Sequence, residues 1–545
     1  MSEVLLAQVL PINPAVTSNN PAATQQREKE NRERLEERRR LQQRPDESLI
    51  IDVPNAIPTL DSEDDESNLT FMLNALDFSK SEWLSKAELS ELSAPYVGTL
   101  ISFSSLNDII NDINQYYRSR NILTAQAILP PQKITNGVVK ITLVEGRIGK
   151  VIVTDNTSTA TRYITSRVNL NPDELIRINE LEKSLMRFNR VEDIQLRAQM
   201  EKGSDFGKTD IQLKVVEPPT YEVELFLSNT GTDETGETRG GFSFTNNSLV
   251  GYRDRLTFSA LGSSGSEGYV FGYNIAINEI GGRLGFNYLK DDLDIDSEFF
   301  TDINIDAASN TRSVDFTQPI FTTNEYSFRF STAIEDNKSS SSLDGIVVQS
   351  SEVESMPLIF EWDQYFDSAL LFASASLVRG RERQFDERYF TSYRSNLTYL
   401  YSFYDDFSLV TRFAGQFSDD DNLPGSQVFQ IGGASTVRGY EEGLLTGDKG
   451  AFANIELQWN LSKKFETSIP LNFSPFIFLD QGVVYPFRPD ASIFAKKEFL
   501  GSVGTGLSFA LTNMLSGAIN IGFPIREDYF DQDGSRIHFN LSYRP

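Results

Sequence analysis

From residue 220 to the C-terminus the chain alternates apolar and polar residues in segments of about ten, separated by turn-rich stretches. A period of two puts successive side chains on opposite faces of a strand, so each segment reads as a β-strand with one apolar and one polar face. Sixteen segments fall near 220–230, 238–248, 252–262, 267–278, 282–291, 310–320, 324–335, 351–363, 367–379, 390–403, 407–418, 449–461, 471–484, 498–511, 515–524 and 536–544. Connections after even-numbered segments are mostly tight, as at 278–281, 322–323, 404–406 and 512–514. Those after odd-numbered segments are often long and polar, at 292–309, 336–350, 419–448 and 485–497. An even strand count with connection length sorted by side predicts a transmembrane antiparallel β-barrel, its short turns facing the periplasm.

Ahead of this region the period changes. Within 69–146 the pattern predicts a strand at 69–78, a short helix at 85–92 and a helix at 106–118 with Leu106, Ile109, Ile110, Ile113 and Tyr117 on one face. Strands at 121–129 and 138–145 follow, giving the order β-α-α-β-β. Residues 147–217 repeat it, with a strand at 148–154, helices at 163–168 and 172–187, and strands at 191–200 and 209–216. Each unit is a small sheet with helices on one face, which leaves edge strands to which an extended peptide can add. Pro218-Pro219 marks the boundary with the strand-rich region.

The N-terminal 68 residues carry no core pattern. Val4 to Leu10 suggests the tail of an export signal cut near Ala7, and residues up to 24 read as disordered. Residues 25–44 lack Gly and Pro and contain i,i+4 pairs such as Glu30 with Arg34 and Glu36 with Arg40. They predict a helix held by charge pairs, with only Leu35 and Leu41 to dock, suited either to solvent or to a polar cavity. The stretch 45–68, with three prolines and the acidic run Asp61 to Glu66, reads as an extended linker.

Composition narrows the chemistry. No window of eighteen apolar residues exists, which excludes a membrane-spanning helix and says nothing against strands. The 39 Phe and 20 Tyr favour strands and fit the aromatic girdles of a membrane barrel. With no cysteine there is no disulfide, thiol nucleophile or thiolate metal site. The one histidine, His538, sits on an alternating run and is expected only to occupy a strand face, which removes most enzyme readings and leaves no metal or cofactor site to name. A net charge of −27 argues against nucleic acid as a partner.

One connection stands out. Gly432 to Tyr440, in the long stretch 419–448, holds three glycines around Arg438, a guanidinium with five donors in a fixed fork. On the strand at 471–484, Phe478, Asp480 and Gly482 share one face. If Asp480 faces the lumen and the connection folds inward, Arg438 reaches it and the pair pins the loop inside the barrel.

Val437-Arg438-Gly439-Tyr440 with Phe478-x-Asp480-x-Gly482 resembles the paired motifs of the outer-membrane superfamily containing the barrel-assembly insertase and the two-partner-secretion transporters of ShlB/FhaC/HecB type. Tyr117, Arg120, Leu129, Pro130, Gln132, Gly137 and Gly146 resemble the first polypeptide-transport-associated (POTRA) domain of the secretion branch. Residues 229–236 and 246–251 resemble the start of its barrel. Asn121 and Ile122 depart from the Gly and Tyr common there, and the chain ends in Pro545 where Phe is common.

The resemblance implies a sixteen-stranded outer-membrane barrel, two periplasmic POTRA domains at 69–146 and 147–217, and an N-terminal helix, residues 25–44, that plugs the lumen. It implies export of an unfolded partner exoprotein without ATP or cofactor, by a monomer that touches outer-membrane lipid. A barrel-assembly factor is the alternative, and it usually carries more periplasmic repeats. A passive porin needs none.

Overall fold

The computed structural model describes residues 20–27, 29–30, 51–52, 70–295, 304–383, 387–404, 406–461, 471–486, 497–512, 514–525 and 534–545. The expected signal remnant, Leu35, Leu41 and most of the linker lie outside these. The chain forms two compact units, residues 45–218 and residues 1–44 with 219–545.

In the first unit the duplicated order is present, with one short strand between the helices of the first repeat that the expected order lacks. Strands β2 (Thr70–Met72) and β3 (Ala75–Phe78) precede helix α1 (Lys86–Ser93), β4 (Leu100–Ser102), helix α2 (Phe103–Ser119), β5 (Ala125–Ile128) and β6 (Val138–Glu145). The single strand expected at 69–78 is two, because Leu73 leaves the ladder to bond Thr99 and Gly98. Ser85 starts α1 with a capping box to Glu88, two donors satisfied reciprocally. Leu106, Ile109, Ile113 and Tyr117 recur every three or four residues on α2 and bury against Val139 and Ile141 of the sheet β3-β6-β5.

The second repeat runs β7 (Arg147–Thr154), α3 (Thr161–Val168), α4 (Ile178–Val191), β8 (Gln195–Lys202) and β9 (Lys208–Val216). Helix α4 starts six residues later than its sequence pattern suggests, since Leu175 bridges to Arg147 first. The expected linker supplies a strand here: β1 (Ile51–Asp52) pairs in parallel with β8, opposite Ala198 and Gln199. Two residues carry no readable period, so only the pairing partner reveals this strand.

The end of β9 is tied to the loop before α3. Glu217 accepts from Thr157 Oγ1 at 2.8 Å, Ser158 N at 2.9 Å, Ser158 Oγ at 2.7 Å and Thr159 N at 3.0 Å. Burial pushes this carboxyl up, and the hydrogen bonds from Thr159, Ser158 and Thr157 overcome that, lowering it to about 2. A lowered folded value means the tie is fully present above the ordinary value near 4.5 and is lost as pH falls toward 2. Hydrogen-exchange protection at Ser158 and Thr159 is expected to persist at pH 4 and to vanish near pH 2. Glu217→Gln is expected to abolish it at pH 4 as well, and equal protection in that variant at pH 4 would refute the tie.

In the second unit sixteen strands close an antiparallel barrel. In chain order they are β10 (Tyr221–Ser228), β11 (Arg239–Asn246), β12 (Arg255–Gly262), β13 (Ser266–Ala276), β14 (Arg283–Ile295), β15 (Ile305–Thr322), β16 (Tyr326–Leu343) and β17 (Ile346–Tyr365). There follow β18 (Ala369–Arg383), β19 (Glu387–Phe403), β20 (Phe407–Ser418), β23 (Lys449–Trp459), β24 (Leu471–Tyr485), β25 (Glu498–Leu511), β26 (Leu515–Pro524) and β27 (Arg536–Tyr543). Between β20 and β23 a small hairpin, β21 (Phe429–Ile431) with β22 (Leu445–Gly447), forms a two-stranded sheet separate from the ladders of the wall.

Outward positions carry Phe258, Phe271, Phe286, Phe360, Trp362, Phe413, Ile455, Leu457, Ile477 and Leu479, all exposed, as a lipid-facing surface requires. Inward positions carry buried polar groups such as Asp291, Ser309, Asn337, Asp363, Asn454 and Asp480. The seam β10–β27 has four residue pairs, whereas β25–β26 has ten.

The long connection expected at 336–350 does not exist. Strands β16 and β17 run on to a two-residue turn, Asp344-Gly345, both at positive φ as a tight hairpin needs. The serine run at 339–342 hides the alternation, and pairing on both sides holds it in the sheet. Strand β14 extends to 295 and β15 begins at 305, so the expected loop at 292–309 is likewise shorter. Strands β15, β16 and β17 reach 18, 18 and 20 residues, well beyond the roughly 9–11 that cross a bilayer.

Candidate functional site

The 419–448 connection folds into the barrel. Ile431, Val437, Tyr440 and Leu445 bury against Ala414 of β20, Phe452 of β23, Val484 of β24 and Leu500 of β25. Glycines let the chain turn there: Gly432 and Gly433 have φ of 111° and 98°. Thr436 Oγ1 closes the turn, accepting from Gly432 N at 2.8 Å and donating to Gly432 O at 2.9 Å. Apolar burial thus brings the loop to the wall, and polar contacts set its register.

Arg438 is the centre of those contacts. Its Nε and Nη2 donate to Asp480 Oδ2 and Oδ1 at 2.7 and 2.8 Å, and its backbone N–H donates to Oδ2 at 3.1 Å. Nη1 donates to Glu456 Oε2 at 2.7 Å, and the guanidinium lies 3.5 Å over the Phe478 ring. Glu456 sits opposite Phe478 across β23 and β24, so the period of two delivers both carboxylates and the ring to one inward face. Asp480 has no exposed surface. A carboxylate there needs a fixed cation, and the planar fork of arginine satisfies two of them at once.

The residues beside Arg438 make further ties. Gly439 (φ 88°) passes so close to Gly522 of β26 that a Cβ on it would stand 2.8 Å from the Gly522 carbonyl carbon. Gly439 N–H donates to His538 Nε2 of β27 at 3.3 Å, and Tyr440 Oη donates to Gly501 O of β25 at 3.0 Å. His538 therefore does more than occupy a strand face, and its acceptor role places the proton of the neutral ring on Nδ1. Glu441 meets Arg536, which also holds Glu237 and Asp233 before β11. Gly482 leaves room for Ile431 and Val437, since a Cβ would lie 3.0 Å from each side chain. The loop tip thus touches every strand from β23 to β27.

A second element occupies the lumen. Residues 21–27 and 29–30 are helical, beginning four residues before the expected start at 25 and inside the stretch expected to be disordered. Asn20 caps this helix: Ala22 N and Ala23 N donate to its Oδ1 at 3.0 and 3.3 Å, and Pro21 fills the first helical position. The helix meets the infolded loop through Arg27 to Glu442 O at 3.2 Å and Gln430 to Ala23 O at 2.7 Å. It meets the wall through Lys29 and Glu335 at 2.7 Å. Gln25 is held by β14, β15 and β16.

The motif of the first repeat builds fold. Tyr117 is buried and donates to Glu145 at 3.1 Å, and Arg120 pairs with Glu88 at 2.7 Å. Leu129 packs on the core beside Pro130, and Gln132 pins its loop to the Lys140 backbone at 2.7 and 2.8 Å. Gly137 and Gly146 stand where a Cβ would strike Met72 O and Thr124. Asn121 has φ of 59°, a region asparagine tolerates. Glu456, Gly522, His538, Arg536 and Gln25 escape a sequence reading of the site. Glycine within a strand, as at Gly522, is the one available signal.

A family model described as haemolysin secretion/activation protein ShlB/FhaC/HecB matches residues 207–509, more than half of the 545, and a ShlB-type POTRA domain matches residues 71–146. The heme/hemopexin transporter protein HuxB of Haemophilus influenzae strain 86-028NP is 24% identical over 489 residues, covering 83% of each chain. The outer membrane transporter CdiB of Dickeya dadantii strain 3937 is 23% identical over 477 residues, covering 84% of this chain and 83% of its own. The structure of CdiB from Escherichia coli has a TM-score of 0.68 at 17% identity, covering 98% of this chain and 99% of that one. BamA from Haemophilus ducreyi lacking POTRA domains 1–3 has a TM-score of 0.53 at 13% identity, covering 87% and 100%, a likeness of fold alone. A sixteen-stranded barrel with an infolded loop whose Arg438 pairs with Asp480, preceded in the sequence by a ShlB-type POTRA domain and matched over more than half of the chain, places this chain in the haemolysin secretion/activation family ShlB/FhaC/HecB.

Proposed function

We propose that this chain, an outer-membrane transporter, captures its partner exoprotein on the sheet edges of residues 69–217 and passes it unfolded through a lumen that two of its own elements close at rest. The observation that carries this is the joint occupation of the lumen: the N-terminal helix and the 419–448 loop touch each other and the wall through polar contacts. Polar contacts with water-accessible alternatives exchange at modest net cost, which suits a closure that must open.

The edge of β8 already accepts a strand, β1, so an extended exoprotein segment adds there only by displacing residues 51–52. The helix leaves, and the Arg438 loop shifts so the chain threads the barrel. Folding of the exoprotein outside draws it forward. The chemistry asks for no bound group: recognition is by backbone pairing, and the path is the polar inner wall.

Deleting residues 20–44 is expected to raise single-channel conductance in planar bilayers while the barrel still assembles. Unchanged conductance would remove the helix from this closure.

A further inference from the structure

Gln25 is held more completely than any contact of a simple stopper requires. Its Nε2 donates to Asp291 Oδ2 at 2.6 Å and to Ser309 O at 3.4 Å. Its Oε1 accepts from Ser309 Oγ at 3.1 Å, Thr311 Oγ1 at 2.5 Å and Asn337 Nδ2 at 3.1 Å. Asn337 Nδ2 also reaches Ser309 Oγ at 3.0 Å and Thr311 Oγ1 at 2.8 Å, so the wall groups orient one another. Gln25, Asp291, Ser309 and Asn337 are each at least nine-tenths buried. The wall groups come from three adjacent strands, β14, β15 and β16, whose inward positions line up in register: Asp291 opposite Ser309, and Asn337 opposite Thr311.

The arrangement matches one functional group. An acceptor carboxylate and carbonyl on one side, with three donors on the other, fit the two hydrogens and the oxygen of a primary amide. A carboxylate in its place would face Asp291, and an aliphatic chain would leave buried donors and acceptors unpaired. A site built on hydrogen bonds rejects such analogues strongly.

We propose that Asp291, Ser309, Thr311 and Asn337 form a carboxamide-reading subsite on the lumen wall, filled by Gln25 at rest and open to glutamine and asparagine side chains of the passing exoprotein once the helix leaves. This rests on the reading that the helix vacates the lumen during secretion. The resting contact then holds the closure by the same chemistry that later touches the cargo, so cargo amides compete directly with Gln25 for the wall.

The test uses the full chain carrying Gln25→Leu in planar bilayers, with three short peptides that differ only in bearing glutamine, glutamate or leucine side chains. Gln25→Leu is expected to raise the open fraction, and the glutamine peptide to block the open pore about ten-fold longer than the other two. Adding Asn337→Leu, or Asp291→Asn in a second variant, should bring the three dwell times together. Equal dwell times for the three peptides in Gln25→Leu alone, or discrimination that survives both wall variants, would overturn the subsite and leave the transport reading intact. If Gln25→Leu opens no more often and no peptide blocks it, the reading of a helix-closed pore fails as well.

Discussion

Replacing Arg438 by alanine is expected to abolish export of the exoprotein while the barrel remains assembled in the outer membrane. The substitution leaves Asp480 fully buried and Glu456 nearly so, with no cation between them. Breaking a buried pair by removing one partner costs roughly 3–5 kcal/mol, because the remaining charge is uncompensated. Here that cost falls on loop docking, since the strands around Asp480 keep their ladders to β23 and β25 without Arg438. Lysine is expected to rescue poorly: a single ammonium cannot replace a fork that grips Asp480 with two nitrogens and Glu456 with a third. Secretion assays in parallel with heat-modifiable mobility of the folded barrel separate the two effects. Normal export by the alanine variant would sink the proposed role.

Substituting Gly439 by alanine is expected to displace the same loop without touching a charge. The residue sits at φ 88°, and its new Cβ would stand 2.8 Å from the Gly522 carbonyl carbon. A strained backbone of this kind costs about 1–3 kcal/mol, and overpacking adds typically 1–3 kcal/mol. Gly522→Ala meets Gly439 N at 2.5 Å without the backbone term, so a smaller effect in the same direction is expected. Protease cleavage within 432–443, compared across the three proteins, reads the displacement. The order Gly439→Ala, Gly522→Ala, wild type, from most to least cleaved, supports close backbone contact as part of the lock. Equal cleavage would assign the lock to the ion pair alone.

The strands at 407–418, 498–511 and 515–524 are legible to the residue, because tight turns bound one end of each and outward apolar positions alternate with inward ones. Strands β16 and β17 are not, since a serine run and a Asp344-Gly345 turn conceal continuous pairing. The pair of Arg438 and Asp480 is legible only in company: period two aims Asp480 inward, and family resemblance supplies its partner. Glu456 carries no mark, since an inward glutamate on β23 looks like any lumen-facing polar residue. Helix residues 21–24 read as disordered because alanine and threonine beside proline show no periodic face. The polar pocket that orders Gln25 lies some 266 to 312 positions away in sequence.

By itself the sequence determined the sixteen-strand alternation, the twofold β-α-α-β-β repeat and the absence of thiol chemistry, because these follow from local period and composition. Only the tertiary structure decided what fills the barrel. Loop, helix and wall meet through residues hundreds of positions apart, and side-chain geometry across a closed sheet has no local period to betray it. The arginine's second carboxylate, the histidine under Gly439 and the amide cradle around Gln25 all arise from closure, which sets inward faces of distant strands side by side.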